Sequence, residues 1–195
     1  MKFTIFKFTN VTSTNDVAIN LIKDKKEEQG CVYAEKQTNG RGTQGKKWIS
    51  DRGNLFGSIF FPLKKDYPPF NEFSIINPII LSEVIEFFCK KKNISFKWPN
   101  DVFVNDKKIC GILQELISLN GKQFLIIGIG INIISNPVVN SKYEATSIFL
   151  ETKKKPSVKE IIELIIASYE KFFFDLKSYN YINFKKKADS MSLNF

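Results

Sequence analysis

"KKICGILQELISLNGKQFLIIGIGINII" (Lys107–Ile134) reads as two strands joined by a tight turn, and this hairpin decides the fold class. Asn120-Gly121 suits a two-residue turn whose central positions both need positive φ. Ile and Leu crowd the arms on either side. The second arm reads as a strand through residue 134. Within it Gly128, Gly130 and Asn132 alternate, so a strand turns all three to one side. Two missing side chains leave bare backbone there, and Asn132 adds donors and an acceptor at its edge. Either something flat approaches that patch, or a core helix crosses it closely.

Upstream, "KWPNDVFVNDKKICG" (Lys97–Gly111) places short strands on either side of two turns. Pro99 cannot donate to a ladder, so it ends the strand "SFKW". Asn100 and Asp101 follow where the chain must turn, and Lys108 lies across a second tight turn at 105–107. A Lys and an Asp brought together over a hairpin can serve a phosphate and its metal, or form an ordinary surface ion pair. Further upstream, "CVYAEK" and "NLFGSIFF" read as strands. Between them "QTNGRGTQGKKW" (Gln37–Trp48) sets glycines and cations beside a Trp. Gly40 and Gly42 flank Arg41, which suits a loop closing on an anionic ligand. The spacing matches neither the Walker loop nor the dinucleotide fingerprint, and a plain surface loop is the competing reading.

Three helices complete the pattern. The first runs through "TSTNDVAINLIKDKKEEQG", with Ser13 or Thr14 as cap and Val17, Ala18, Leu21 and Ile22 as the buried stripe. The second is "EFSIINPIILSEVIEFFCKKKN", with Pro78 expected near its first turn. The third is "SVKEIIELIIASYEKFFFDLKSY", with Ser157 and Glu160 in capping-box spacing. Strands in neighbouring groups with helices at intervals predict an α+β fold, a mixed, largely antiparallel sheet covered by helices.

Composition narrows the chemistry. The chain has 195 residues, enough for one domain or one domain with a small appendage. It contains no His, which removes His-based acid–base catalysis, the Ser-His-Asp triad and His-ligated metals. No long apolar run spans a membrane, and the start is a poor signal peptide. Cys31, Cys89 and Cys110 lack metal spacing and read as reduced thiols of a cytoplasmic protein. The net charge of +9 reads as solvated surface and A/T-biased codon supply; a nucleic-acid footprint is the alternative.

"STN" (Ser13–Asn15), "QTNGRGTQGKKW", "KWPND", "KICGIL" and "GIGIN", in this order, resemble the catalytic domain of biotin protein ligases, of class II synthetase-like fold. "EATSIFLE" (Glu144–Glu151) resembles the Ala-Thr-Ser segment of that family. The resemblance covers about residues 8–180. It implies a catalytic domain at 1–180, followed by a tail at 181–195. The family's N-terminal DNA-binding domain and small C-terminal β-barrel are expected to be absent.

The resemblance also implies a reaction. Biotin's carboxylate attacks the α-phosphate of ATP, supplied with Mg2+, and a lysine of a biotin carboxyl carrier protein then takes the biotinyl group from biotinyl-5′-AMP. By similarity, Lys108, Arg41 and Asp101 are the catalytic residues. Biotin contacts fall at Ser13, Thr14, Asn15, Gln37, Arg41, Gly42, Thr43, Lys108, Gly111, Gly128 and Gly130. Trp48, Asn100 and Asn132 fall on the nucleotide side, with Trp48 over the adenine, and no protein metal site is expected. The family loop often carries a second Arg where this chain has Thr43, with Lys46 or Lys47 as imperfect replacements. A monomer or homodimer without specific DNA binding or membrane attachment is expected. A lipoate or octanoate ligase or transferase of the same fold, and a non-catalytic basic nucleic-acid-binding protein, are the alternatives.

Overall fold

The structure, a computed structural model, describes residues 1–136 and 143–193. In chain order the elements are β1 (Thr4–Val11), α1 (Thr14–Asp24), β2 (Gly30–Gln37), β3 (Leu55–Pro62), α2 (Phe73–Phe88), β4 (Ile94–Lys97), β5 (Asp101–Val104), β6 (Lys107–Leu119), β7 (Lys122–Ile131), α3 (Ile148–Thr152), α4 (Val158–Phe174) and α5 (Tyr181–Met191). The strands form one seven-stranded sheet in the order β1-β2-β3-β7-β6-β5-β4. β1 and β2 are parallel, joined by the α1 crossover that such pairing requires. The other neighbours are antiparallel. The fold is therefore α+β with a mixed, largely antiparallel sheet.

The hairpin forms where its turn residues demand it. Asn120 (φ 49°) and Gly121 (φ 75°) both take the left-handed backbone, and so do Asn105 (φ 49°) and Asp106 (φ 62°) between β5 and β6. Alternation along β7 then sorts its side chains. Leu125, Ile127, Ile129 and Ile131 enter the large core with Ile76 and Ile80 of α2 and Ile165 and Tyr169 of α4. Phe124 and Ile126 point the other way, onto Ala18 and Ile22 of α1. Burying each such large side chain contributes about 1.5–3 kcal/mol. Past Ile126 that second face carries Gly128 and Gly130, and apolar packing gives way to a cleft. A buried polar chain ties the layers together: Tyr169 donates to Asn77 Oδ1 (2.8 Å), and Asn77 Nδ2 donates to Gln114 Oε1 on β6.

Local signals hold with some corrections. Ser157 and Glu160 form the reciprocal capping box on α4. Ser13 occupies the N-cap of α1, but its side chain makes no capping hydrogen bond. β7 ends at Ile131 rather than 134, because Asn54 Oδ1 accepts from the N–H groups of Ile133, Ile134 and Ser135 (2.9, 3.1 and 3.3 Å) and draws the chain off the ladder. Pro78 lies beyond the first turn of α2, since the helix opens at Phe73. Most of the stretch read as a tail is α5. Its Ala188 packs with Ile75, Ile79 and Phe96, and Leu193 N–H donates to Phe96 O (3.0 Å) beside β4.

All three cysteines are free and buried. Burial pushes the Cys31 thiol up to about 12 and Cys89 up to about 11, and it also raises Cys110. A raised thiol pKa suppresses the reactive thiolate at pH 8. The folded chain is therefore expected to resist N-ethylmaleimide at pH 8, and to take three equivalents in guanidinium, as read by intact mass. Rapid alkylation of the folded chain would contradict the burial of these cysteines.

Candidate active site

The cleft opens where the glycines interrupt the α1 face of the sheet. Gly111 on β6 and Gly130 on β7 are directly opposed, and Leu113 is opposed to Gly128. The backbone from Gly128 to Asn132 extends about 13 Å at strand rise. A Cβ on Gly128 would sit 2.5 Å from Asn15 Oδ1. On Gly111 it would sit 2.5 Å from the Trp48 ring, and on Gly130 it would collide with the same indole. Both readings of the bare patch thus hold in part: α1 crosses it at Gly128, and a ring lies on it at Gly130. The flat group there is the chain's own Trp48.

At one end of the floor the start of α1 meets the end of β2. Thr14 N–H and hydroxyl both donate to Gln37 Oε1 (2.9 and 3.2 Å). Gln37 Nε2 donates to Ser50 Oγ (2.9 Å), and Ser50 donates to Trp48 O (3.1 Å). Asn15 accepts from the buried Ser58 hydroxyl and donates to Glu115 Oε2 (2.7 Å). Ser13, Thr14 and Asn15 are all nearly fully buried. A dense set of amides and hydroxyls of this kind suits a neutral ligand with several donors and acceptors.

The other end is charged. The Lys108 ammonium pairs with Asp101 Oδ1 at 2.7 Å and lies 5.5 Å from the centre of the Trp48 ring. Thr146 N–H donates to Lys108 O, and Lys108 N–H donates to Glu144 O, each at 2.8 Å. The Ala-Thr-Ser segment thereby lies alongside the start of β6. Asn132 Nδ2 donates to Thr146 O (2.9 Å), so part of its hydrogen-bonding capacity holds this segment.

The glycine-rich loop arches over the floor as a small hairpin. Arg41 bridges Lys47, Gly42 N–H donates to Lys46 O (2.7 Å) and Trp48 N–H donates to Gly40 O (2.9 Å). Gln44 (φ 56°) and Gly45 (φ 73°) turn its tip. Thr43, read from the sequence as a departure from the family's second Arg, accepts from Asn100 Nδ2 (3.2 Å) and ties the tip to the turn after Pro99. Arg41 does not point its guanidinium at open space: Glu115 and Asp16 hold it. The hydrogen bond to Glu115, and then the nearby carboxylate charges, raise its pKa against the opposing effect of burial.

Every residue given a catalytic, biotin-side or nucleotide-side role by the resemblance lines this one cleft of about 710 Å³. Its size falls within the usual range for small-molecule sites. Among the described residues no cluster of Cys, Asp and Glu is arranged to hold a metal ion, and no helix is long and apolar enough to cross a membrane.

A model of the biotin/lipoate A/B protein ligase family matches residues 5–132. The chain belongs to this family. Among relatives of this ligase-family chain, the bifunctional ligase/repressor BirA of Bacillus subtilis is 30% identical over 190 residues, covering 94% of this chain and 58% of that protein. The protein of the same name from Escherichia coli is 35% identical over 133 residues, covering 67% and 41%. The chain thus spans about half the length of these curated relatives. Biotin protein ligase from Leishmania major, solved with biotinyl-5-AMP, shares the fold at a TM-score of 0.84 and 27% identity, covering 98% of this chain and 83% of that one. The Aquifex aeolicus enzyme, solved with biotin and ATP, gives 0.80 and 29%, covering 97% and 78%.

Sequence reasoning overlooked Asp16, Ser58 and Glu115, which anchor the site residues of this family member, and Lys97 and Tyr143, which line the cleft and contact each other. Strand alternation was the available signal for Glu115: it follows Gly111 and Leu113 on the same face of β6.

The contact between Trp48 and the glycines can be tested optically. Trp98 is exposed, so a Trp98→Phe background leaves Trp48 as the sole Trp emitter. In that background Gly130→Ala is expected to lift the indole off the strand, shifting its emission to the red and increasing acrylamide quenching. An unchanged spectrum would mean that the ring does not rest on Gly130.

Proposed function

We propose that the chain is an ATP-dependent biotin protein ligase, which forms biotinyl-5′-AMP and passes the biotinyl group to a lysine of a biotin carboxyl carrier protein. One observation carries the reading: a floor of strand glycines under Trp48 joins an amide-and-hydroxyl end, at Thr14 and Gln37, to a cationic end at Lys108. Biotin has matching parts: a polar bicyclic head, an apolar chain and a carboxylate. Family membership supports the reading, as do related structures with biotin, ATP and biotinyl-5-AMP.

In the first step the biotin carboxylate oxygen bonds to the α-phosphorus of MgATP and pyrophosphate leaves. Both reactants are anionic. Lys108 offsets their repulsion, and the loop excludes water from an anhydride that water would hydrolyse. In the second step the carrier amine attacks the acyl carbon, AMP leaves, and the amine gives up a proton. Asp101, paired with Lys108, is the group proposed to help that attack. Trp48, over the floor near Lys108, is the proposed neighbour of the adenine. With no His anywhere in the chain, positioning and charge neutralisation are asked to supply most of the rate.

The direct test supplies MgATP with biotin, lipoate or octanoate in turn and reads the acyl-adenylate by mass spectrometry. Biotinyl-adenylate alone is expected. Lipoyl- or octanoyl-adenylate in its place would move the chain to the lipoate side of the family. Lys108→Ala is expected to slow adenylation by about 10²–10³, on the scale of losing a group that stabilises charge in the transition state. Lys107→Ala removes only an exposed pair with Glu144 and is expected to change the rate little. Equal, small effects would reduce Lys108 to a surface lysine.

A further inference from the structure

Glu115 stands where the two coverings of the glycine floor meet. Its Oε1 accepts from Arg41 Nη1 (2.7 Å), and its Oε2 accepts from Arg41 Nη2 (2.8 Å). The same Oε2 accepts from Asn15 Nδ2 (2.7 Å), and Asn15 is the side chain seated over Gly128. Arg41 Nη2 also donates to Asp16 Oδ1 on the first turn of α1 (2.7 Å). The guanidinium is therefore held by a bidentate fork and a second carboxylate. Charge-assisted bonds in this geometry are stronger and more directional than neutral ones. Arg41 is in turn the loop residue bridged to Lys47, next to the Trp48 that covers Gly111 and Gly130. One strand carboxylate thus fixes both Asn15 and the root of the loop.

We propose that Glu115, assisted by Asp16, is a positioning residue: through Arg41 it latches the glycine-rich loop over the floor, so that an acyl-adenylate made there is retained until the acceptor amine arrives. The retention part rests on the ligase reading; the latch part does not. Neither carboxylate touches the reacting atoms in this scheme. Their effect reaches the site through Arg41 and Asn15. The three side chains are part-exposed, with Arg41 at 33%, Asp16 at 39% and Glu115 at 25%, so the latch is open to screening by salt. A loop held by such a latch opens without unfolding the sheet beneath it.

The experiment compares wild type, Glu115→Gln, Asp16→Asn and the charge-preserving Glu115→Asp. Amide hydrogen exchange is followed without ligand at Gly42, Lys46 and Trp48, whose N–H groups bond within the loop. Glu115→Gln is expected to speed exchange at these amides about tenfold, the change that losing a charged hydrogen bond corresponds to. Amides of β7 should keep wild-type rates. Added salt should speed loop exchange in wild type and have little effect in Glu115→Gln. Glu115→Asp should recover part of the protection. Should Glu115→Gln not fold, Asp16→Asn, on a more exposed side chain, gives the same readout at smaller amplitude. Unchanged loop exchange, or acceleration shared equally by β7, overturns the latch. With biotin and MgATP added, release of biotinyl-adenylate should rise in step with loop exchange. A loosened loop whose release rate stays at the wild-type value overturns the role in retention. Absence of any adenylate from wild type, alongside a loosened loop in the variant, overturns the ligase reading and leaves the latch standing.

Discussion

The site depends on close approach to bare backbone. Gly111 and Gly130 face each other across β6 and β7, and Gly128 lies one alternation away, so a patch of the central sheet presents no Cβ atoms. Glycines in a strand supply no side-chain packing of their own. The surrounding structure compensates on the opposite face. Ile127, Ile129 and Ile131 are sealed against α2 and α4, and β3 is buried along its whole length. A rigid, densely packed back supports a front of bare backbone, and the flat group that rests on it is Trp48.

The loop, the α1 start and the turn after Pro99 are each modest features alone, and topology gives them meaning. The parallel pairing of β1 with β2 brings Val11 beside Gln37, so the end of β1 and the end of β2 reach the same rim. The Ser13–Asn15 segment follows the first and the loop follows the second. Lys108 and Asp101 arrive from the opposite side of the sheet, through the β5–β6 turn. The Thr14–Gln37 contacts and the Lys108–Asp101 pair therefore occupy opposite ends of one trough, with Trp48 between them.

Much of this was readable in the amino-acid order because the relevant signals are local. Asn120-Gly121, the alternation of Gly128, Gly130 and Asn132, and the Ser157–Glu160 box each specify their own conformation within a few residues. The misses came from partners distant in sequence. Asn54, far from β7 in sequence, ends that strand early by collecting successive N–H groups. The helix at 181–191 was obscured by its Lys run, although Phe184, Ala188 and Met191 keep helical spacing and meet α2 and β4. The resting position of Arg41 could not be read locally either, because a basic residue in a glycine-rich loop suggests an anionic ligand. Here the anions are two carboxylates of the chain itself.

The strand directions also divide the molecule into two rims of unequal burden. The cleft lies at the carboxyl ends of β2 and β7 and the amino ends of β3 and β6. The Asn120-Gly121 turn, the connection from Asp24 to Gly30 and the exposed Lys122–Glu28 pair occupy the opposite rim. Residues there close hairpins and meet solvent, and none of them lines the cleft. That rim is the natural attachment point for added sequence. A peptide spliced between Asn120 and Gly121 lengthens a surface turn at slight entropic expense, while the trough at the far end of the same strands keeps its shape.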